Sequence, residues 1–273
     1  MCGRTVYSLP PSRLGRVAGI ALSDVAIGQL HFRNYNLCPT NSLVCIIENS
    51  SLHCRSVQLM KWGLEPRFPV THTLSTINAR IEGLSTSKLY GPLVDHNRCV
   101  VVVDGFYEWH QEKTEKVPFL LRYGADVPER SIPGGVFDDY VSVDDFDSEC
   151  VLPAGVSPLL LAGIYDRSPS GDYTCSIITT DSVGPCSQIH SRMPLLLSPE
   201  SAADWLSVSL SFNDMQLKVF QTSRELAAHI ESIQVSSLVN SVMNSSKDVT
   251  LAASEMKKKS FEKGLGRFFK TQH

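Results

Sequence analysis

Four β-prone segments between residues 98 and 180 place the strongest constraint on how this chain can fold. The β-branched run Arg98–Val103 is followed by the strand-like segments Pro118–Tyr123, Leu159–Tyr165 and Tyr173–Thr180. The last two flank Ser168-Pro169-Ser170-Gly171, a turn sequence that predicts a β-hairpin. The sequence therefore predicts a fold whose centre is rich in β-strands.

Shorter elements precede and follow this region. Residues 3–9 and Leu43–Ile47 are also β-prone, and Arg13–Ala21 has the pattern of a helix. Ser198-Pro199-Glu200 predicts a helix start, because serine caps the first turn and proline is tolerated there. Asn78 follows a Ser/Thr-rich segment and is predicted to lie near the cap of a short helix. Strands and helices together indicate a mixed α and β protein.

The composition favours one soluble domain. With 273 residues, of which 42% are hydrophobic, the chain can bury a full core. No segment approaches the ~18 apolar residues of a membrane span, and the N-terminus lacks the basic and apolar regions of a secretory signal. We therefore predict no membrane partner and a location in the cytosol or nucleus.

The cysteines indicate a reducing compartment and no metal centre. The eight cysteines include no C-x-x-C pair and no zinc-type spacing with histidine. Reduced, mostly buried thiols are the expected state. The sequence predicts neither a metal ligand set nor a cofactor.

The charge is unevenly distributed. The formal net charge is -3, but residues 124–150 carry eight acidic residues and one basic residue, which leaves 24 basic and 20 acidic residues elsewhere. A moderately basic body is compatible with binding phosphate groups. Residues 124–157, rich in Gly, Pro and Asp, are predicted to form an acidic surface insertion.

The N-terminus carries the most distinctive chemistry. Removal of Met1 would leave Cys2 with a thiol and a free α-amine on adjacent carbons. An unperturbed α-amine has a pKa of ~7.7–8.0 and a thiol one of ~8.5, so both are partly nucleophilic near neutral pH. The amine can form a Schiff base with an aldehyde, and the thiol can then close a five-membered thiazolidine. The alternative is an ordinary, uncatalytic chain start.

Three internal residues each permit a functional and a structural interpretation. Glu108 is flanked by Phe106, Tyr107 and Trp109, and desolvation there would suit a general acid or base, whereas an alternating strand would point it outward. Trp62 fits either a core position or a surface on which bases stack. His190, in Ile189-His190-Ser191-Arg192, is either structural or a proton donor.

Seven sequence blocks in order resemble one family. They are MCGR at 1–4, YNLCPTN at 35–41, KWGLEP at 61–66, NARIE at 78–82, VVVDGFYEW at 101–109, IHSRMPLLL at 189–197 and VSSLVNSV at 235–242. This pattern resembles the SOS response-associated peptidase (SRAP) family. The resemblance implies an α+β fold with a strongly curved, barrel-like antiparallel β-sheet and flanking helices. It also implies a monomer.

The resemblance also implies an activity and a set of site residues. Family members shield abasic sites in single-stranded DNA through a thiazolidine cross-link to the ring-opened sugar. The implied catalytic residues are Cys2 as nucleophile, Asn78 as orienting group, Glu108 as proton relay and His190 as proton donor to the sugar. The implied DNA contacts are Arg4, Arg80 and Arg192 to phosphates, Trp62 to a base, and Met193 and Pro194 as pocket walls.

Two other functions remain open. Cys2 could be the nucleophile of a thiol peptidase or amidohydrolase with its own amine as base, and Met1 removal could then be autocatalytic. The protein could also bind single-stranded DNA without covalent chemistry.

The predicted domain spans residues 1–243, and residues 244–273 are predicted to be a flexible basic tail. The tail contains a degenerate resemblance to the PIP box of sliding-clamp partners, with Leu265, Phe268 and Phe269 at the apolar positions and Glu262 in place of glutamine. A replication sliding clamp is therefore a candidate partner. The location would be nuclear, at replication forks, in a eukaryote and cytoplasmic otherwise.

Overall fold

The computed structural model describes residues 2–21, 32–49, 54–66, 76–135 and 147–259. The strands are β1 (Thr5–Tyr7), β2 (Asn34–Leu37), β3 (Ser42–Asn49), β4 (Cys54–Trp62), β5 (Asn78–Arg80), β6 (Arg98–Val103), β7 (Gly105–Glu112), β8 (Glu115–Tyr123), β9 (Leu159–Arg167), β10 (Tyr173–Asp181), β11 (Arg192–Pro194), β12 (Leu196–Leu197) and β13 (Ile230–Gln234). The helices are α1 (Pro11–Ala18), α2 (Gly184–Ser187), α3 (Pro199–Leu206) and α4 (Phe212–Leu226). Short 3₁₀ turns occur at Ile81–Gly83, Ala227–His229, Ser237–Asn240 and Lys247–Thr250, and residues 253–259 are helical.

The larger sheet confirms the predicted curved, barrel-like architecture. Its strand order is β11-β10-β4-β3-β6-β9-β12, and β9 also pairs with β10, so the pairings return to β10. The predicted hairpin is present, because Tyr173 of β10 pairs with Arg167 of β9. The sheet is not wholly antiparallel, however, since β10 runs parallel to both β4 and β5.

All of β6 is buried, as its β-branched sequence predicts. Helix α3 packs against β6 and β9. Trp205 of α3 is fully buried there, and its indole nitrogen lies 3.1 Å from the carbonyl oxygen of Cys99 and 3.2 Å from that of Gly163. Both faces of the strand are therefore inside the protein.

The smaller sheet has the order β13-β8-β7-β1-β2. The chain passes into it from the larger sheet at Asp104-Gly105, between β6 and β7. A Cβ atom on Gly105 would lie 2.8 Å from the carbonyl oxygen of Leu121, so only glycine fits at this crossing. The crossing brings β7 alongside the N-terminal strand β1.

Asn78 lies in a strand rather than at a helix cap, so the predicted cap is wrong. Asn78 and Arg80 pair in parallel with Ile177 and Thr179 of β10, and a 3₁₀ turn begins only at Ile81. The long-range pairing with β10 outweighs the local capping signal.

The acidic insertion is not simply a surface excursion. The side chains of Arg13 and Glu129 are both 3% exposed and form an ion pair of 2.6 Å. Arg13 also donates to the carbonyl oxygens of Leu152 and Val156, which helps to offset the cost of burying the charges. The two ends of the segment are thus tied into the core, while residues 136–146 lie outside the described residues.

The predicted start of the tail at Asn244 is too early. Val249 is fully buried, and Val235 forms a β-bridge with Ala252. The side-chain nitrogen of Asn36 also donates to the backbone carbonyl oxygen of Asn244 over 2.8 Å. The packed body therefore continues beyond the predicted boundary. The clamp-like motif with Leu265, Phe268 and Phe269 lies outside the described residues and stays a prediction.

None of the eight cysteines forms a disulfide, and five of them are buried. Within the described ranges, no group of three or more His, Cys, Asp or Glu side chains is arranged to hold a metal ion. Among the same residues, no helix combines the length and apolarity needed to cross a membrane.

Asp104, at the crossing between the sheets, generates a prediction about stability. It is fully buried beside Ser8, whose hydroxyl donates to it, and burial raises the pKa of the Asp104 carboxyl to about 7. Folding therefore favours the protonated carboxyl, and the resulting stability is lost as the pH rises from about 4 to about 7, by roughly 4 kcal/mol at most. We expect Asp104→Asn to remove this loss, measured by urea unfolding at both ends of that range.

Asparagine at position 104 keeps an oxygen that accepts from Ser8 but does not titrate, so the variant separates the effect of the carboxyl charge from that of the hydrogen bond. The exposed residue Asp172, changed to Asn, is the matched control. If Asp104→Asn and the wild type lost equal stability over this pH range, the assignment of the titration to Asp104 would be wrong.

Candidate active site

The pairing of β1 with β7 fixes the position of the N-terminal segment. Thr5 and Val6 lie opposite Phe106 and Gly105 in antiparallel register. The backbone N–H of Tyr107 also donates to the carbonyl oxygen of Arg4 over 2.9 Å, so the pairing continues toward Cys2. Cys2 thus enters the interior beside β7, where it is 0% exposed.

Asn78 contacts Cys2 from the opposite sheet. Its side-chain nitrogen donates to the Cys2 carbonyl oxygen over 2.7 Å. Its side-chain oxygen is buried and accepts no hydrogen bond from the residues that the structure describes. Asn78 therefore holds the backbone of the nucleophile and keeps a second polar atom available at the site.

Glu108 is buried, which resolves the two alternatives for its side chain. It lies on β7 opposite Phe119 and is 5% exposed, so it does not point outward into solvent. Burial raises the pKa of the Glu108 carboxyl, and the positive charges of the amino terminus and His190 partly offset that rise. Its protonated form is therefore favoured more than in an exposed glutamate, which suits a general acid.

His190 follows helix α2 and is partly buried. Its backbone N–H donates to the carbonyl oxygen of Cys186 over 3.0 Å. The backbone N–H of Arg192 donates to its ring Nδ1 over 3.0 Å. Nδ1 also lies 3.1 Å from the carbonyl oxygen of Arg192, so it accepts from the Arg192 N–H in one tautomer and donates to the Arg192 carbonyl in the other.

These groups adjoin an open cleft of about 460 Å³, lined by Arg4, Glu108, Trp109, Lys116, His190 and Asn240. Burial and the negative charge of Glu108 both raise the pKa of the Cys2 thiol well above its ordinary value. The thiol is therefore protonated in this state. Proton transfer to a neighbouring base must accompany its reaction.

Asn36 organises the wall of the cleft that contains Arg4. The Arg4 guanidinium donates to the side-chain oxygen of Asn36 over 2.7 Å and to the Val239 carbonyl over 2.9 Å. The side-chain nitrogen of Asn36 lies within hydrogen-bond distance of three backbone carbonyl oxygens, those of Val239, Ser241 and Asn244. One buried amide thus joins the C-terminal turn to the arginine at the cleft.

Three predicted DNA-contact residues are buried. Trp62 is 0% exposed, and its indole N–H donates to the Ile77 carbonyl over 2.9 Å, so it offers no exposed face for a base. The stacking prediction for Trp62 is therefore wrong, and its core interpretation is correct. Met193 and Pro194 are buried in β11 against β10 and are not among the residues that line the cleft described above, so they are not seen as its walls.

The remaining two predicted phosphate ligands differ from each other. Arg80 is exposed at the end of β5 and can meet a phosphate. Arg192 forms a bidentate pair with Glu82, at 2.8 and 2.9 Å, and a second ion pair with Asp181 at 2.7 Å. These carboxylates already occupy the Arg192 guanidinium, so it fixes β11 and the neighbouring 3₁₀ turn rather than offering a free cation.

Sequence reasoning did not select Trp109, Lys116, Asn240 or Asn36 as site residues. Trp109 packs under the Arg4 guanidinium, 5.6 Å from the ring centre, and its indole N–H donates to the Asn240 side chain over 2.7 Å. A signal was present for Trp109, because it follows Glu108 directly in the strand. Lys116 gave none, since it reaches the cleft only through the β7–β8 hairpin.

The cysteine, amide, carboxyl and imidazole groups together form a candidate site for nucleophilic thiol chemistry. The sequence matches the family described as SOS response associated peptidase (SRAP) over residues 1–242. The chain belongs to this family, and the SRAP resemblance predicted from the sequence is confirmed.

Two relatives and one solved structure are similar to the chain. Chicken (Gallus gallus) "Abasic site processing protein HMCES" is 31% identical over 269 residues, which cover 89% of this chain and 75% of that protein. "Abasic site processing protein YoqW" of Bacillus subtilis is 28% identical over 229 residues, covering 81% and 87%. A solved protein from Bacteroides thetaiotaomicron has the same fold, with a TM-score of 0.64 at 21% identity over 92% of this chain and 100% of its own.

The electrostatic coupling between His190 and Glu108 can be tested directly. Because the charge of His190 lowers the pKa of the Glu108 carboxyl, His190→Ala should raise that pKa further above its ordinary value. The measurement is a carbon NMR titration of the Glu108 carboxyl. His229→Ala, at an exposed histidine paired with Asp126, is the control and should leave the titration unchanged. An unaltered Glu108 titration in His190→Ala would contradict the coupling.

Proposed function

We propose that the protein traps abasic sites in single-stranded DNA as a covalent thiazolidine on Cys2 and so shields the lesion during replication-associated repair. The main support is geometric: Asn78 donates to the Cys2 carbonyl, and Glu108, whose charge acts on the Cys2 thiol, lines one cleft together with His190. Relatives at about this level of similarity are named abasic site processing proteins, which supports the same substrate.

Formation of the cross-link from the amine, the thiol and the aldehyde releases one water molecule. Hydrolytic removal of Met1 first frees the α-amine of Cys2. The amine nitrogen attacks the C1′ aldehyde of the ring-opened sugar, and the carbinolamine loses water to give a Schiff base. The thiol sulfur then adds to the same carbon and its proton passes to the nitrogen. The product has one C–N and one C–S bond at C1′.

The geometry of the site supports a role for each side chain in this scheme. Asn78 holds the Cys2 carbonyl, which fixes the direction of the amine and thiol, and its unbonded oxygen can accept from the amine or a sugar hydroxyl. Glu108, with its raised pKa, carries the proton that leaves with water. His190 protonates the sugar ring oxygen during ring opening.

Cations at the cleft suit the phosphates on either side of the sugar. Arg4 lines the cleft itself, and Arg80 is exposed at the end of β5. Single-stranded DNA is favoured over duplex because the sugar must reach a buried thiol, which an extruded or unpaired nucleotide does at lower cost.

The protonation state of Cys2 favours this chemistry over peptide hydrolysis. A thiol peptidase needs a thiolate as the attacking group. Burial and Glu108 raise the pKa of the Cys2 thiol, which makes the thiolate scarce. In thiazolidine formation the amine attacks first, and the thiol adds only to the activated Schiff base.

The proposal includes a cellular setting that rests on sequence alone. The clamp-like segment with Leu265, Phe268 and Phe269 would bring the protein to the replication sliding clamp. In a eukaryote this places it in the nucleus at replication forks, where a monomer would meet abasic sites in exposed single strands.

The first functional prediction concerns Cys2. Cys2→Ser should abolish the heat-stable adduct with an abasic single-stranded oligonucleotide, because serine leaves a Schiff base that hydrolyses. Intact mass spectrometry after heating measures the adduct. The exposed residue Cys54, changed to Ser, is the control and should retain it. A heat-stable adduct on a protein with an extra N-terminal residue before Cys2 would rule out the thiazolidine.

The second concerns Glu108. Glu108→Gln should slow single-turnover cross-linking by about 10²–10⁴-fold, the usual contribution of a general acid or base. The fold should persist, since Gln has the same shape and no charge to bury. Glu112→Gln, at the exposed end of the same strand, controls for loss of an acidic residue. Equal rates for both variants would exclude Glu108 as the proton carrier.

A further inference from the structure

A second groove, of about 610 Å³, lies beside the catalytic cleft. One wall is the start of β8, including Lys116 and Pro118, and another is the turn that contains Leu238. The third wall, with Met256 and Lys257, comes from the helical residues 253–259, beyond the 1–242 match to the family.

The groove and the cleft adjoin each other along the β7–β8 hairpin and along the 3₁₀ turn Ser237–Asn240. Lys116 lines both of them. On the β7–β8 hairpin, Trp109 of the cleft is the cross-strand partner of Pro118 of the groove. The 3₁₀ turn Ser237–Asn240 likewise contributes Leu238 to the groove and Asn240 to the cleft. A chain bound in the cleft that extends past Lys116 therefore enters the groove.

The lining suits a single nucleic-acid strand. Lys116 and Lys257 supply two cations against one carboxylate, that of Glu115. Leu238, which is 39% exposed, and Met256 supply apolar surface between them. Binding sites for single strands combine cations for the phosphates with side chains that contact base faces; these are commonly aromatic and here are aliphatic.

We propose that this groove holds the single strand on one side of the nucleotide that occupies the cleft, with Lys257 contacting phosphate and Leu238 contacting a base. The inference rests on the proposed function, and it assigns the C-terminal helical segment a role in binding substrate. It predicts that affinity depends on strand length on one side of the lesion only.

The test uses oligonucleotides with a tetrahydrofuran abasic analogue, which has no aldehyde and binds without cross-linking. Each is extended on the 5′ or the 3′ side from about two to about eight nucleotides, within the range of single-strand site sizes. Extension on one side should tighten binding to the wild-type protein. Lys257→Ala should remove most of that gain and reduce the salt slope by about 0.7, the value for one phosphate contact on a single strand.

Leu238→Ala tests the apolar wall. Neither Leu238 nor Lys257 lines the catalytic cleft. Lys218→Ala, at an exposed lysine of α4, is the matched control and should behave as wild type. Equal gains from extension on both sides, or a Lys257→Ala variant that keeps the full gain, would overturn the groove assignment. Cross-linking of a short abasic oligonucleotide, measured in parallel, separates this failure from failure of the proposed function.

Discussion

The site depends on the pairing of the first strand with β7. That pairing draws the N-terminal residues into the protein interior, where most chains leave a mobile end. The crossing at Gly105 makes it possible, because β7 leaves the larger sheet at that residue and becomes available to β1. Asn78 then meets Cys2 from the larger sheet, so the nucleophile lies where the two sheets approach each other.

Burial gives the site its acid and base properties. The Cys2 thiol and the Glu108 carboxyl are both removed from water, so each favours its neutral form, and the charge of Glu108 further raises the pKa of the Cys2 thiol. The amino terminus and His190 supply the opposing positive charge at Glu108. Glu108, which we propose as the proton carrier, therefore also raises the pKa of the Cys2 thiol.

The strand-rich centre could be predicted because its signals are local. The β-branched run of β6 and the turn between β9 and β10 each lie within a few residues of sequence. Asn78 and Trp62 were harder, because their surroundings are set by β10 and by Ile77 rather than by their neighbours. Asn36 was missed for the same reason, since the three carbonyl groups that its side-chain nitrogen contacts lie more than 200 residues away in the sequence.

The contacts of Asn36 also bear on how the chain can be shortened or joined to other sequences. Its amide spans carbonyls on both sides of the family boundary at residue 242, including that of Asn244. Val249 is fully buried in an apolar cluster with Tyr35 and Val239. A protein trimmed at the family boundary would lose Val249 and one of the three carbonyl acceptors around Asn36, which would weaken the support of the turn that contacts Arg4. Fusion partners are therefore better tolerated after the helical segment than before it.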